Sequence, residues 1–170
     1  MSFISMQFFE FLLWRNLEND SMNYIISIAA AFLLVIQPIA SLTMLNNVPL
    51  RNKLLVFYSL PALSYFFYRV TTEDFYTTVS KTGHLAWKWG GPTDNVFTHL
   101  FYLFFLYYAL IVNKHYFSVG FTLLLFAISY YTYYKDGSAG SMWCWLINVV
   151  MFYYLFKILI YLPYQEHGLC

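Results

Sequence analysis

YIISIAAAFLLVIQPIASLTML, residues 24–45, decides how the rest of the chain is read, because it runs from end to end without a charged side chain. A bilayer core is about 30 Å thick and takes roughly 17–25 mostly apolar helical residues to cross. Working outward, residues 96–112 and 116–134 likewise contain no Asp, Glu, Lys or Arg, 142–163 carries Lys157 alone, and 54–70 is nearly as apolar. The expected fold is all-α. It is a multi-pass transmembrane helical bundle of about five spans, with an N-terminal helix that is either interfacial or inserted. An amphipathic segment, 1–21, precedes the transmembrane domain, 22–170, and a polar connection at 71–95 interrupts it.

Composition supports lipid as the main solvent. Hydrophobic residues make up 61% of the chain and charged residues 10%, against about 25% charged in an ordinary soluble domain. A net charge of +1 and the absence of any Lys/Arg cluster to neutralise phosphates give no reason to expect nucleic acid as a partner. The 18 Phe and 17 Tyr residues fit tyrosine belts at the two interfaces, where an apolar ring with a polar tip is favoured. Compositional drift in an AT-rich genome would produce the same excess. Cys144 and Cys170 sit at opposite ends of the last span, about 20 helical residues apart, too far for a disulfide. The N-terminus lacks the basic region and small-residue cleavage pattern of a secretory signal, so an internal span is expected to direct insertion.

Along the chain, residues 3–17 (FISMQFFEFLLWRNL) form an apolar but short helix carrying Gln7, Glu10 and Arg15. It either lies in the interface or packs among the spans with Glu10 inward. Asp20 and Ser21 are the expected caps of the first span, which contains Gln37 and Pro38 and ends in the loop 46–52. In the second span, Arg69 is expected to snorkel to headgroups. TTEDFYTTVS, 71–80, reads as a short helix capped by Thr72, with Glu73 and Asp74 where the helix dipole favours acids. Trp87 and Trp89 beside Lys88 look like an interfacial anchor, and so long a connection invites partner contacts. Spans three and four, joined through 113–115, form a tight hairpin, with Gly120 allowing close helix approach. Arg15, Arg69, Lys81, Lys88 and Lys135 against Arg51, Lys53 and Lys114 favour a cytoplasmic N-terminus by the positive-inside rule.

Candidate chemistry is sparse. Glu10, Gln37, His99 and Lys157 are the possible intramembrane polar groups. Lys157 either snorkels, pairs with Glu10, or lines an ion or proton path; a lysine in a final helix also raises a retinal Schiff base. In the run from Lys135 to Trp145, Gly137 and Gly140 allow a tight reversal, and Ser138 or Ser141 can cap the next helix. Asp136, Ser138 and Ser141, with Glu73, Asp74, Trp87, Lys88 and Trp89, are the expected partner contacts. Trp143 and Trp145 are the expected anchors of the last span. His84, His99, His115 and His167 lack metal-ligand spacing, Asp94 has no carboxylate partner set, and Cys144 has no activating base near in sequence. No catalytic, cofactor or metal site is expected.

The run Gly140-Ser141-Met142-Trp143-Cys144-Trp145-Leu146-Ile147-Asn148 resembles a motif of uncharacterised multi-pass membrane proteins from large icosahedral double-stranded DNA viruses. Phe8-Phe9-Glu10-Phe11-Leu12-Leu13 is loosely similar to an aromatic, glutamate-bearing helix in the same group. The resemblance covers the last 35 or so residues and supplies no catalytic residues. It implies a non-enzymatic structural component of a virion internal membrane, meeting the capsid and other subunits of a large assembly. A supernumerary membrane subunit of an organellar respiratory complex matches the bulk composition equally. A small transporter, channel or retinylidene-like protein is the rival from another class.

Overall fold

A computed structural model describes residues 2–90 and 96–161. Of the described residues 81% are helical, in six α-helices and shorter 3-10 and π turns, and the helix ends follow local capping chemistry. Helix α1 spans Ser2–Arg15 and α2 spans Asp20–Leu42. The cap of α2 is Asn19, whose side chain accepts from the Met22 amide; the expected caps, Asp20 and Ser21, already lie in its first turn. Helix α3 spans Val48–Thr72. Much of the expected loop 46–52 is therefore helix: Asn47 caps it through the Leu50 amide, and Pro49 sits in the first turn, where a missing N–H costs nothing. Helix α4 spans Val96–Val112, α5 Tyr116–Tyr133 and α6 Ala139–Phe156, the last continued by a π-helical turn, Lys157–Tyr161. The α4–α5 reversal is as short as the sequence implied, with Lys114 at φ 61° inside it.

Among the described residues, three helical stretches are long and apolar enough to cross a membrane by length and composition: Asp20–Leu42, Tyr116–Asp136 and Ala139–Tyr161. The shorter apolar helix Phe97–Val112 and the 25-residue α3, which carries Arg51, Lys53 and Arg69, complete the bundle. The outer faces are apolar: Phe117 is 76% exposed and Phe152 70%. Helix α2 is central, packed against α1, α3 and α4, while α6 packs on α5 and α1. Helix α1 packs on α2 and α6, with Met6, Glu10 and Leu13 buried against its neighbours.

The main departure from an all-helical reading lies in the polar connection. Instead of a short helix capped by Thr72, α3 runs on to Thr72, and strands β1 (Thr77–Val79) and β2 (Leu85–Trp87) pair antiparallel. Thr77 faces Trp87 and Val79 faces Leu85 across the ladder. The Ser80–Gly83 turn closes it, with Gly83 at φ +80° and the Ser80 hydroxyl accepting from the His84 amide. A 3-10 turn, Lys88–Gly90, follows.

The hairpin is fastened to α2. Asn23 Nδ2 donates to the Thr77 carbonyl, and the Thr77 amide donates back to Asn23 Oδ1, both at 2.9 Å. Ser27 Oγ donates to Asn23 Oδ1 at 3.2 Å and shares a 2.9 Å hydrogen bond with Thr77 Oγ1. All three residues are buried, so these bonds satisfy backbone groups that would otherwise be costly to leave unpaired. Asn23→Ala should lower stability by about 2 kcal/mol and strip exchange protection from the Thr77 amide. Thermal unfolding in detergent and amide exchange by mass spectrometry check both.

The glycine that permits close approach is Gly140. A Cβ there would lie 2.7 Å from Trp87 Cζ3, whereas one at Gly120 would meet nothing within 4 Å; the expected role of Gly120 fails because its face of α5 is exposed. Gly140→Ala should destabilise by about 1–3 kcal/mol through overpacking. Gly120→Ala, at an open helical position, should be neutral or stabilising, and paired melting curves separate the two.

Candidate functional site

Five helices and the hairpin surround a cavity of 390 Å³. Its wall is aromatic: α3 contributes Tyr58, Tyr65 and Phe66, α4 Phe97, Phe101 and Tyr102, and α5 Phe126 and Tyr130. The hairpin adds its own rings. Trp87 and Trp89 stack at 4.9 Å with an 8° interplanar angle, and Phe75 lies parallel to Trp89 at 6.0 Å. All three are buried. The expected interfacial anchor and partner contacts at Trp87 and Trp89 are therefore corrected: the end of β2 and the 3-10 turn after it place both indoles inside, where they roof the cavity.

Arg69 is also turned inward. It is 5% exposed, with Nη2 donating to the Trp89 carbonyl at 3.0 Å and Nη1 to the Tyr65 hydroxyl at 2.9 Å. Its guanidinium pairs with Glu73 one helical turn on. The expected snorkelling toward headgroups gives way because the folded-back segment brings the Trp89 carbonyl to an arginine that already has Glu73 one turn along its own helix.

The intramembrane polar candidates separate. Gln37 is buried on α2 beside Pro38, and its Oε1 accepts from the Tyr102 hydroxyl on α4; Gln37 Nε2 meets no partner among the described residues. Near the same proline, which supplies no N–H to the helix ladder, the Tyr58 hydroxyl donates to the Val35 carbonyl at 3.2 Å. His99 lines the cavity, half-buried, with its ring edge-on to Tyr130 at 5.7 Å. Glu10 is buried against the Ser141 hydroxyl. Lys157 is exposed on the terminal π-helical turn. Sixteen residues of α6 separate it from Ser141, about 24 Å along the axis, so the Glu10–Lys157 pair is excluded. Lys157 does not line the cavity, so it cannot hold a chromophore there.

The Lys135–Trp145 run is mostly internal. Tyr134–Asp136 forms a 3-10 turn ended by Gly137 at φ 72°. Ser138 occupies the cap position of α6 without a side-chain cap bond, and its hydroxyl is buried without a partner among the described residues. Ser138 and Ser141 are buried and Asp136 half-buried, so the two serines leave the set of expected partner contacts. Trp143 is 4% exposed and meets Phe126 and Tyr102 edge-on, in place of an interfacial anchor; Trp145, on the adjacent face, is 61% exposed. Glu73, Asp74 and Lys88 remain exposed. Asp94, His167 and Cys170 lie outside the described residues. Among those described, no three His, Cys, Asp or Glu side chains converge as a metal set.

Sequence reasoning passed over Asn23, Thr77, Tyr65 and Tyr102. Polar residues inside or beside an apolar run were the available signal, but their partners lie far away in sequence. No known protein family, curated protein or solved structure matches the chain.

Tyr102→Phe leaves Gln37 Oε1 buried without its donor, and Gln37→Leu leaves the Tyr102 hydroxyl without its acceptor. Each single change should cost about 1–3 kcal/mol. The double change should cost less than the sum, with a coupling of about 1 kcal/mol. A double-mutant cycle on thermal stability in detergent measures it.

Proposed function

We propose that the protein is a non-enzymatic, integral-membrane structural component of a larger assembly, seated in a virion internal membrane and meeting the capsid through its polar connection. In this reading α2–α6 are the five spans, and α1 packs beside them. Helix α3 is long enough, about 37 Å at 1.5 Å per residue, to leave Arg51 and Lys53 at one interface while Arg69 pairs internally.

The hairpin is the observation that carries this reading. A connection serving merely to join two spans needs no sheet. This one is clamped to α2 through Asn23 and Ser27, and it holds Lys81, Thr82 and Lys88 exposed beside Glu73 and Asp74. A rigid, charged display at the end of an apolar bundle suits docking to a protein layer outside the membrane, because charges on a preorganised surface set register and partner choice. The resemblance of the Gly140–Trp145 motif to viral membrane proteins supports the virion as the site of that layer.

Removing the whole hairpin would unroof the bundle, so the test uses its exposed charges. Lys81→Glu combined with Lys88→Glu should leave insertion, helicity and monodispersity unchanged. Recovery of the protein in purified particles should fall about tenfold, the effect of roughly 1.4 kcal/mol of lost binding. Undiminished incorporation of the double variant would refute docking through this surface.

A further inference from the structure

The cavity has a side entrance and a polar end. Phe97, 71% exposed, and Tyr65, 38% exposed, both line it, so it opens to the surroundings between α3 and α4. Below that opening the two helices close through Tyr58, which stacks on Phe101 and packs against Phe105. In a bilayer the opening faces acyl chains. From Arg69 to Tyr58 the wall follows α3 for eleven residues, about 16 Å along its axis, so the space is elongated along the membrane normal.

Its polarity changes along that length. Ala31, Leu34, Val35, Pro61 and Ala62 supply apolar wall at the deep end. Arg69, His99 and Trp87 lie toward the hairpin end. Arginine and tryptophan side chains donate hydrogen bonds and accept none, and the Trp87 indole N–H has no partner among the described residues. A ligand suited to this wall brings an acceptor to the upper end and hydrocarbon to the lower. The volume lies within the range of small-molecule sites, about 300–1,000 Å³.

We infer that the cavity binds one acyl chain of a membrane amphiphile, entering sideways between α3 and α4, with a carboxylate, phosphate or carbonyl head at the Arg69–His99–Trp87 end. A free fatty acid and a one-chain phospholipid share this chemistry. The inference rests on the protein's residence in a membrane and is independent of its role in an assembly.

The tryptophans provide the test. Of the five in the chain, Trp14 and Trp145 are exposed, while Trp87, Trp89 and Trp143 all line the cavity. Full-length protein carrying Trp14→Phe and Trp145→Phe, in mild detergent, therefore reports the cavity alone. It is titrated with dibrominated stearate, with a one-chain phospholipid bearing the same chain, and with dibrominated octadecane, because bromine quenches indole emission on contact. Saturable quenching by the stearate, the phospholipid or both is expected, and the arm that saturates identifies the source. Octadecane should bind at least about tenfold more weakly than the tighter headed ligand. Ala62→Phe and Val35→Phe, each adding bulk to the deep wall, should separately weaken the headed ligand about tenfold.

Quenching that rises in proportion to the micelle's bromine content without saturating would overturn the inference, and the parent titration decides that without any cavity variant. Octadecane binding as tightly as the headed ligands would overturn the polar end. Monodisperse protein in detergent-free buffer would instead overturn the membrane setting, a separate result.

Discussion

The reciprocal bonds between Asn23 and Thr77 are the constraint on which the rest of the molecule depends. Backbone that leaves helical geometry beside a membrane bundle needs partners that lipid does not supply. Here a single amide side chain presents one donor and one acceptor to the two backbone groups of one residue. Ser27, one turn along α2, braces that amide and the Thr77 hydroxyl, to which the Trp89 indole also donates at 3.3 Å. With Thr77 held, the strand pairing fixes Trp87, and the following turn fixes Trp89 against Arg69. A helix, a hairpin and an ion pair thus become one unit.

Packing within this unit has the features of helix association in an apolar solvent. Helix association in lipid gains little from apolar burial, because the competing solvent is also apolar; close contact and interhelical hydrogen bonds supply the specificity. Ser41 Oγ donates to the Leu106 carbonyl at 2.6 Å, Ser129 Oγ to the Ala139 carbonyl at 2.7 Å, and Tyr58 to Val35. Each links two different helices. Gly140 allows the Trp87 ring to lie on α6 where any side chain would intrude. The small and hydroxyl-bearing residues scattered through the apolar runs are the contacts that decide which helix sits beside which.

Much of the helical scaffold was legible in the sequence because length and hydropathy are local properties. Residues 24–45, 96–112 and 116–134 map onto α2, α4 and α5 with shifts of a few residues at their ends. The cap of α2 was misplaced by one because Asn19, Asp20 and Ser21 are all competent caps. The hairpin was not legible. Thr72, Glu73 and Asp74 imitate a helix start, and strands of three residues are too short to establish an alternation. The fate of Arg69 was hidden for a different reason: the Trp89 carbonyl reaches it after the hairpin has folded back, and no local pattern announces a carbonyl. Tryptophans near span ends read as interfacial by habit of composition. Trp87, Trp89 and Trp143 are instead interior, because hairpin register and helix phase, both tertiary facts, set their direction.

The two surfaces that grip the hairpin stand on either side of it in the order of synthesis. Asn23 leaves the ribosome before Thr77, whereas Gly140 emerges 53 residues after Trp87. At about 5–20 residues per second, that delay is roughly 3–10 s. During that interval the nascent hairpin has only its contacts to α2 and to Arg69 of α3, with the tryptophan face still bare on the side that α6 will cover. The last helix therefore arrives as a lid on a half-finished pair of strands, and its docking sets the moment at which the aromatic roof closes.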